Sequence, residues 1–514
     1  MGRIAAALLA GGFLGLAGLP APCQTIRFGP GVAAPTAFNS ATGRYEEGSS
    51  FDPYICAEQP CGELLHNVFE GLVSVSDSQT IQPELATQWQ RIDDLRFRLT
   101  LRRSVVFHNG EAFDAEAVRF SLLRASQAYG ATAWFPEIAR VEILDPYVVD
   151  VVLKAPDSLF MYRLGHLAPI LPPRYFRQVG ATKFGLQPVG TGAFSFWHWD
   201  KSRREVVLDA NRNYWREGAP RVSRVIYRYL ESEKALDALT KGKMDLIRRL
   251  NPRKTTQFME TGSGKIVKAW LPQIVLGPFN LLKAKTPLKD LRVRKAINLA
   301  IDREDVIRYG AIGNGRLIGG YTAAGDPNHA GLAPYPFDAA EARRLLTAAG
   351  YPNGFSLSML VSNEVPSQVE KIIAVSLAQV GIRVKVKEAS EAEFLKELYL
   401  PKFGKGGAPS FDILLLSMPA GTIPHSGYVP MTLLYSGKPN ESAVKDPNLD
   451  QMYEEALRTY DPVRASAVWK RLERYVYDNH LLLMGYQERA VFGARDRLRF
   501  TPRTLMTFHD AAYE

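Results

Sequence analysis

The chain has 514 residues, is 46% apolar and 23% charged, and contains 41 Gly and 33 Pro, a composition that excludes disordered, collagenous and membrane-embedded classes. That length implies about three domains, because single hydrophobic cores stop growing well below it. Lys and Arg outnumber Asp and Glu by 63 to 53, a net charge of +10. The cations are scattered (Arg96, Arg98, Arg102 and Arg103, then Arg292, Arg294 and Arg303). Such scatter describes solvated faces and, with the export signal below, argues against nucleic acid, while an anionic lipid surface or an acidic ligand stays open.

One cation, Arg3, precedes an apolar, Gly-broken stretch from Ile4 to Leu19, then Pro20, Ala21, Pro22 and Cys23. This reads as a signal peptide over residues 1–23, too short for a membrane anchor, with Ala21 and Cys23 in the small-residue positions for cleavage before Gln24. A lipid-anchored Cys23 is the competing reading, and Pro20 and Pro22 stand where a lipid-attachment box wants Leu and a small flexible residue. No later stretch reaches the roughly 20 apolar residues of a membrane span. Export without an anchor predicts the periplasm or the exterior, of which the periplasm is the expectation. There Cys56 and Cys61 form an even pair in an oxidising space and predict a disulfide closing a very small loop, with a C-x4-C metal site as the alternative.

In chain order, Leu95, Phe97, Leu99 and Leu101 alternate with Arg96, Arg98, Thr100 and Arg102, a half-buried strand. Asn109-Gly110 supplies a turn, and Asp114 caps a helix through Ala117, Val118 and Leu122. From Asp338 to Pro352 a capping box (Asp338, Glu341), an apolar stripe (Ala342, Leu345, Leu346, Ala349) and a Gly350 stop spell a helix. Phe355 to Val361 alternates as a strand; Val369, Ile372, Ile373, Leu377 and Val380 make the next helix; Gly381 ends it, and Ile382, Val384 and Val386 begin another strand. Together they form a βαβ unit and so predict parallel strands. A buried strand at Phe411 to Leu416 is followed by a helix carrying Leu449, Met452, Tyr453, Ala456 and Leu457. The next helix opens on Asp461-Pro462 with the stripe Ala465, Val468, Trp469, Leu472 and Val476. Two strands, Leu481 to Met484 and Ala490 to Phe492, close an α/β chain.

No complete catalytic constellation occurs: there is no G-x-S-x-G, H-E-x-x-H, Walker loop or C-x-x-C. Ser442-Ala443-Val444-Lys445 fits S-x-x-K without the companion triplets that would give it meaning. Gly313, Gly315, Gly319 and Gly320 make a plain loop. None of the eight histidines pair at i and i+4. The chain is therefore expected to be no enzyme and to carry no cofactor and no metal.

Six ordered blocks carry a family resemblance. They are Asp52-Pro53 with Asn67 to Val73, Ile81 to Ala86 and Trp89; Leu101 to Gly110 with Phe113 to Val118; Pro188 to Phe194; Asn213-Tyr214-Trp215; Asn280 with Arg292 to Arg303; and Asp338 to Gly354. Over nearly all of its mature length the chain resembles the family 5 extracellular solute-binding proteins, the peptide, nickel and oligosaccharide receptors of ABC importers. The resemblance implies a two-lobed periplasmic-binding-protein fold with an extra domain inserted in the first lobe: first lobe 24–50, 186–270 and 489–514, insert 51–185, second lobe 271–488. It implies capture of a small solute by hinge closure, ABC permease subunits as partners, and a monomer. A binding protein that presents its ligand to a sensor, or an oligosaccharide receptor, is the alternative. The implied ligand-binding residues are Trp270, Ser417, Met418, Gly421, His425 and Tyr428. Peptide-binding members carry Trp, two small residues and Asp directly after the strand at 411–416, the Asp pairing with the peptide's amino terminus. This chain has Met418-Pro419-Ala420-Gly421, so Gly421 stands where that carboxylate would be, and Glu46 or Glu47, expected in the loop after the first strand, is the substitute to consider.

Overall fold

The structure is a computed structural model describing residues 24–514 except 31–33, 40–43, 57–58, 128–134, 251–253, 363–364, 367, 390–409, 420–424 and 438–443. Its frame is one long mixed sheet. In spatial order the strands are Phe194–Asp200, Glu205–Ala210, Arg224–Arg228, Thr25–Gly29, Leu246–Arg248, Leu482–Ala494, Lys265–Pro278, Ile413–Pro419, Phe355–Ser362 and Ile382–Ala389, with Gly315–Arg316 flanking Leu482–Ala494. The sheet contains two parallel sets, and Phe194–Asp200 and Glu205–Ala210 extend one end as antiparallel strands. Thr25–Gly29 runs parallel to Arg224–Arg228 and Leu246–Arg248, and Phe355–Ser362 runs parallel to Ile382–Ala389 and Ile413–Pro419.

Between the sets run two long antiparallel strands, Lys265–Pro278 and Leu482–Ala494, which carry the chain from one half of the molecule to the other. Their register shifts between Trp270 and Ile274, so the continuous ladder is interrupted at the crossing. The sequence reads two separate strands at Leu481 to Met484 and Ala490 to Phe492; the structure corrects this to one strand of 13 residues. Gly485 and the polar Gln487, Glu488 and Arg489 hide the continuity. Gly485 is needed because a Cβ there would lie 2.4 Å from the Val275 carbonyl oxygen.

The βαβ unit forms as its periodicity requires: Phe355–Ser362, then helix Val369–Gln379, then Ile382–Ala389, in parallel register with Leu357 opposite Val384. Ile382–Ala389 is an outer strand whose Arg383, Lys385 and Lys387 are exposed, charges that discourage edge pairing. Asp338 accepts a bond from the Glu341 amide at 2.8 Å, but the reciprocal half of the capping box is absent. The Glu341 carboxylate turns to Arg344 instead, at 2.5 and 2.7 Å, and the Asp338 amide donates to the Leu299 carbonyl.

The segment 51–185 builds its own four-stranded antiparallel sheet from Ala86–Arg91, Arg96–Leu101, Val148–Leu153 and Ile138–Asp145, covered by helix Ala115–Ala125. Asp114 caps that helix by accepting from the Glu116 and Ala117 amides. Cys56 and Cys61 are joined in a disulfide with Cα atoms 5.5 Å apart. Buried Glu63 meets buried Arg248 at 2.7 Å, tying this segment to the Thr25–Gly29 half. Glu46 and Glu47 lie in a strand, Arg44–Glu47, and not in a loop, and Glu47 pairs with Arg204. No helix among the described residues is long and apolar enough to cross a membrane.

Candidate functional site

Strand direction locates the site. Leu246–Arg248 is antiparallel to Leu482–Ala494, as is Lys265–Pro278, so Leu246–Arg248 and its parallel neighbours end pointing toward the crossing. Ile413–Pro419 runs antiparallel to Lys265–Pro278, with Leu416 opposite Leu276 and Pro419 opposite Gln273, so the other parallel set also ends there. The carboxyl ends of both sets therefore converge on the crossing near Gln273 and Gln487. In open α/β sheets ligands bind in the crevice outside the carboxyl ends of the strands, at a topological switch point. Here the carboxyl ends of two such sets meet at one point of one sheet.

Polar side chains gather at this point. Gln273 donates from Nε2 to Ser417 Oγ at 2.9 Å, and Ser417 Oγ donates to Glu488 Oε2 at 2.8 Å. Gln487 accepts at Oε1 from Arg316 Nε (2.9 Å) and from the Ala324 amide (3.0 Å), and donates from Nε2 to the Leu271 carbonyl at 3.0 Å. Gln273, Ser417 and Gln487 are all buried, so these bonds hold both crossing strands to the end of Ile413–Pro419 without leaving costly unpaired groups. Trp270 is 42% exposed and lies opposite Arg489, with the Arg316 and Arg489 guanidinium carbons 4.5 and 5.4 Å from its ring centroid. Burial pulls the Arg316 guanidinium below its usual pKa.

The sequence-derived candidates separate in space. Ser417 and Met418 stand at the strand end, opposite Val275 and Ile274, both buried. His425 and Tyr428, both 7% exposed, follow in the next turn, where the Tyr428 amide donates to the His425 carbonyl. The His425 ring sits 4.6 Å from Tyr162 and 5.2 Å from Trp469, centroid to centroid. Its Nδ1 accepts from the Gly427 amide at 2.9 Å. Burial, and then the nearby Arg163 charge, holds it down to a pKa of about 3, so the ring is neutral. Gly421 lies outside the described residues. Gln273, Arg316, Gln487 and Glu488 were missed in the sequence, although a lone Gln inside the apolar run 271–279 is a signal: a buried polar side chain in a strand requires a partner. No group of three or more His, Cys, Asp or Glu among the described residues is placed to hold a metal.

The family model of the bacterial extracellular solute-binding proteins, family 5, matches residues 80–440. The chain belongs to that family. It is 26% identical to the glutathione-binding protein GsiB of Pectobacterium atrosepticum, over 90% of this chain and 92% of that protein. Among solved structures it resembles the ABC transporter-associated periplasmic binding protein DppA from Helicobacter pylori in complex with the peptide STSA (TM-score 0.82, 22% identity, 95% and 98% of the two chains). It also resembles the oligopeptide-binding protein AppA from Bacillus subtilis in complex with a nonapeptide (TM-score 0.80, 17% identity, 96% and 100%). The fold is thus that of the two-lobed periplasmic binding proteins, and the chain is a solute-binding receptor that takes a small-molecule ligand and works with an ABC importer permease.

Proposed function

We propose that this receptor captures a small peptide-like or other organic solute between the two facing sets of strand ends, and that the two crossing strands are the hinge. The convergence of both carboxyl-end sets on the Gln273 to Gln487 crossing carries this reading. In it the first lobe is 24–50, 186–270 and 489–514, the insert 51–185 and the second lobe 271–488. Trp270, Ser417, Met418, Gly421, His425 and Tyr428 line or support the cleft. The protein catalyses nothing, acts as a monomer, and is exported to the periplasm by residues 1–23.

The ligand's charge follows from Gly421. Stranding a buried ammonium without its carboxylate costs about 3–5 kcal/mol, more than about a hundredfold in affinity. A receptor with Gly at that position gains nothing from a free amino terminus. Calorimetric titration with matched free and N-acetylated peptides, and with glutathione, tests this. Acetylated forms are expected to bind as well as or better than free ones, with a smaller scattering radius at saturation. A free-amine preference above tenfold would show that another carboxylate serves the amine, and an unchanged radius at saturation would remove the hinge.

A further inference from the structure

The insert and the second lobe also meet along a seam of their own, built chiefly on Ser158 and Tyr460. Helix Pro447–Arg458 of the second lobe ends with carbonyls that have no partner within the helix. Ser158 of the insert supplies donors to two of them: its amide reaches the Leu457 carbonyl and its hydroxyl the Ala456 carbonyl, each at 2.8 Å. Just past that end, the Tyr460 hydroxyl accepts from the Asp157 amide at 2.9 Å and donates to the Asp94 carbonyl at 2.8 Å. Both roles of one second-lobe hydroxyl are thereby used on the insert. The Tyr460 ring lies 6.2 Å from Phe97 and beneath the Arg91 guanidinium, 4.4 Å away. Along the same seam Arg163, paired with Asp157 at 3.0 Å, approaches the Tyr453 hydroxyl at 3.5 Å; Gln79 meets Asp326 at 2.5 Å, and Tyr162 packs on His425.

The insert is bound to the first lobe by interior bonds. The Phe194 amide donates to the Asn67 carbonyl at 2.9 Å, Asn67 Nδ2 to the Met506 carbonyl at 2.9 Å, and Glu63 holds Arg248. Gly190 and Gly192 lie so close to the Asn67–Val68 backbone that an added Cβ would clash at 2.1 and 2.6 Å with the Val68 and Asn67 carbonyl oxygens. On the hinge reading above, a second lobe that swings away from the first leaves the insert with the first lobe, and the seam is what parts.

We propose that this seam is a closure latch and that Tyr460 is a positioning residue that sets ligand affinity without touching the ligand. The proposal rests on the hinge reading above. A receptor whose binding-competent state is only partly populated binds more weakly by that fraction. Contacts made only in the closed state therefore tune affinity for every ligand alike.

The test uses the full mature chain without ligand: the parent, Tyr460→Phe, and Ser158→Cys/Leu457→Cys with the added pair oxidised. Scattering radius and amide exchange are measured on each. The oxidised pair is expected to be more compact than the parent, and the Ser158 amide of the parent to exchange at least about a hundredfold faster than the Phe194 amide. Removing the hydroxyl that makes two bonds is expected to expand the ligand-free chain further and to speed Ser158 exchange at least about twofold, toward its fully open rate, while leaving Phe194 unchanged. A parent more expanded than the oxidised pair but with Ser158 as protected as Phe194 overturns the latch and leaves the hinge standing. A parent as compact as the oxidised pair, with neither its radius nor its Ser158 exchange changed by Tyr460→Phe, overturns the hinge and the latch with it. Should the cysteine pair fail to fold, the radius of the structure itself supplies the closed reference, and the Tyr460→Phe comparison of the two amides still decides.

Discussion

Glu70 and Glu84 show how much one buried carboxylate does at the residue scale. Glu70 accepts from Tyr214 at 2.8 Å and from Trp215 Nε1 at 2.9 Å, while Glu84 has the Gly71 amide at 3.2 Å and Arg216 at 3.6 Å. Both line a polar cavity of about 350 Å³ with His66, His166, Arg216 and His509. Burial first, and then the Glu70 charge, pushes the Glu84 carboxyl up to a pKa of about 8. The folded chain thus holds a proton that the unfolded chain releases near its ordinary value of 4.5. Stability from this group is full at low pH and is lost as pH rises from that value toward 8, by at most about 1.4 kcal/mol per pH unit. Glu84→Gln keeps the shape and the acceptor without the charge, so its melting temperature is expected to fall less between pH 5.5 and 8 than the parent's, and to exceed it at pH 8. Parallel curves for the two proteins would refute the assignment. The sequence showed both glutamates only as parts of ordered blocks. Their pairing through Tyr214, Trp215 and Arg216 links positions about 130 to 145 apart, which no local pattern encodes.

At the scale of elements, period and cap were legible wherever both pointed to the same structure. Asp461-Pro462 reads as a helix start, and the Asp461 side chain accepts from the Arg464 amide at 2.8 Å at the head of a 17-residue helix whose buried face is Val468, Trp469, Leu472 and Val476. Glu341, by contrast, occupies a capping-box position yet pairs with Arg344, because an exposed arginine three residues on offers a charged partner for the same carboxylate. The crossing strands were illegible for a related reason: their polar residues are there to bond across the crossing, so the apolar alternation fails where the site lies. Removing the Asp461 cap leaves an amide of the first turn unpaired at a solvated helix end. Asp461→Ala is therefore expected to cost about 1 kcal/mol, read as a lower urea midpoint with an unchanged slope. A loss under a few tenths would mean that water replaces the carboxylate at no cost.

The resemblance stated from sequence reached the whole molecule's fold and its two lobes, because six short blocks of caps, turns and core fix topology. It did not reach the state of closure, which depends on contacts such as Ser158 with Leu457, 299 residues apart in sequence. The cores make that state thermodynamically visible. One buried cluster runs through the first lobe and insert into the second-lobe helices through Tyr453, Trp469 and Leu472. A second cluster, with Val293, Ile297, Leu345, Ile373 and Leu377, is drawn wholly from residues 275–486, the proposed second lobe. On the proposed hinge, the first cluster joins the lobes in the closed form, and in the open form the covalent links between them are the two crossing strands. Scanning calorimetry without ligand is thus expected to show a transition broader than two-state, with a van't Hoff enthalpy below the calorimetric one. On the same proposal a bound solute selects the closed form; binding to the folded chain adds stability as RT ln(1 + [L]/Kd), about 2.7 kcal/mol at a hundredfold excess over Kd. With whatever solute survives gentle purification restored at that excess, the transition should sharpen toward two-state as it moves up. A sharp two-state transition in the ligand-free protein, merely shifted by the solute, would mean that the two cores are already one cooperative unit and that closure does not couple them.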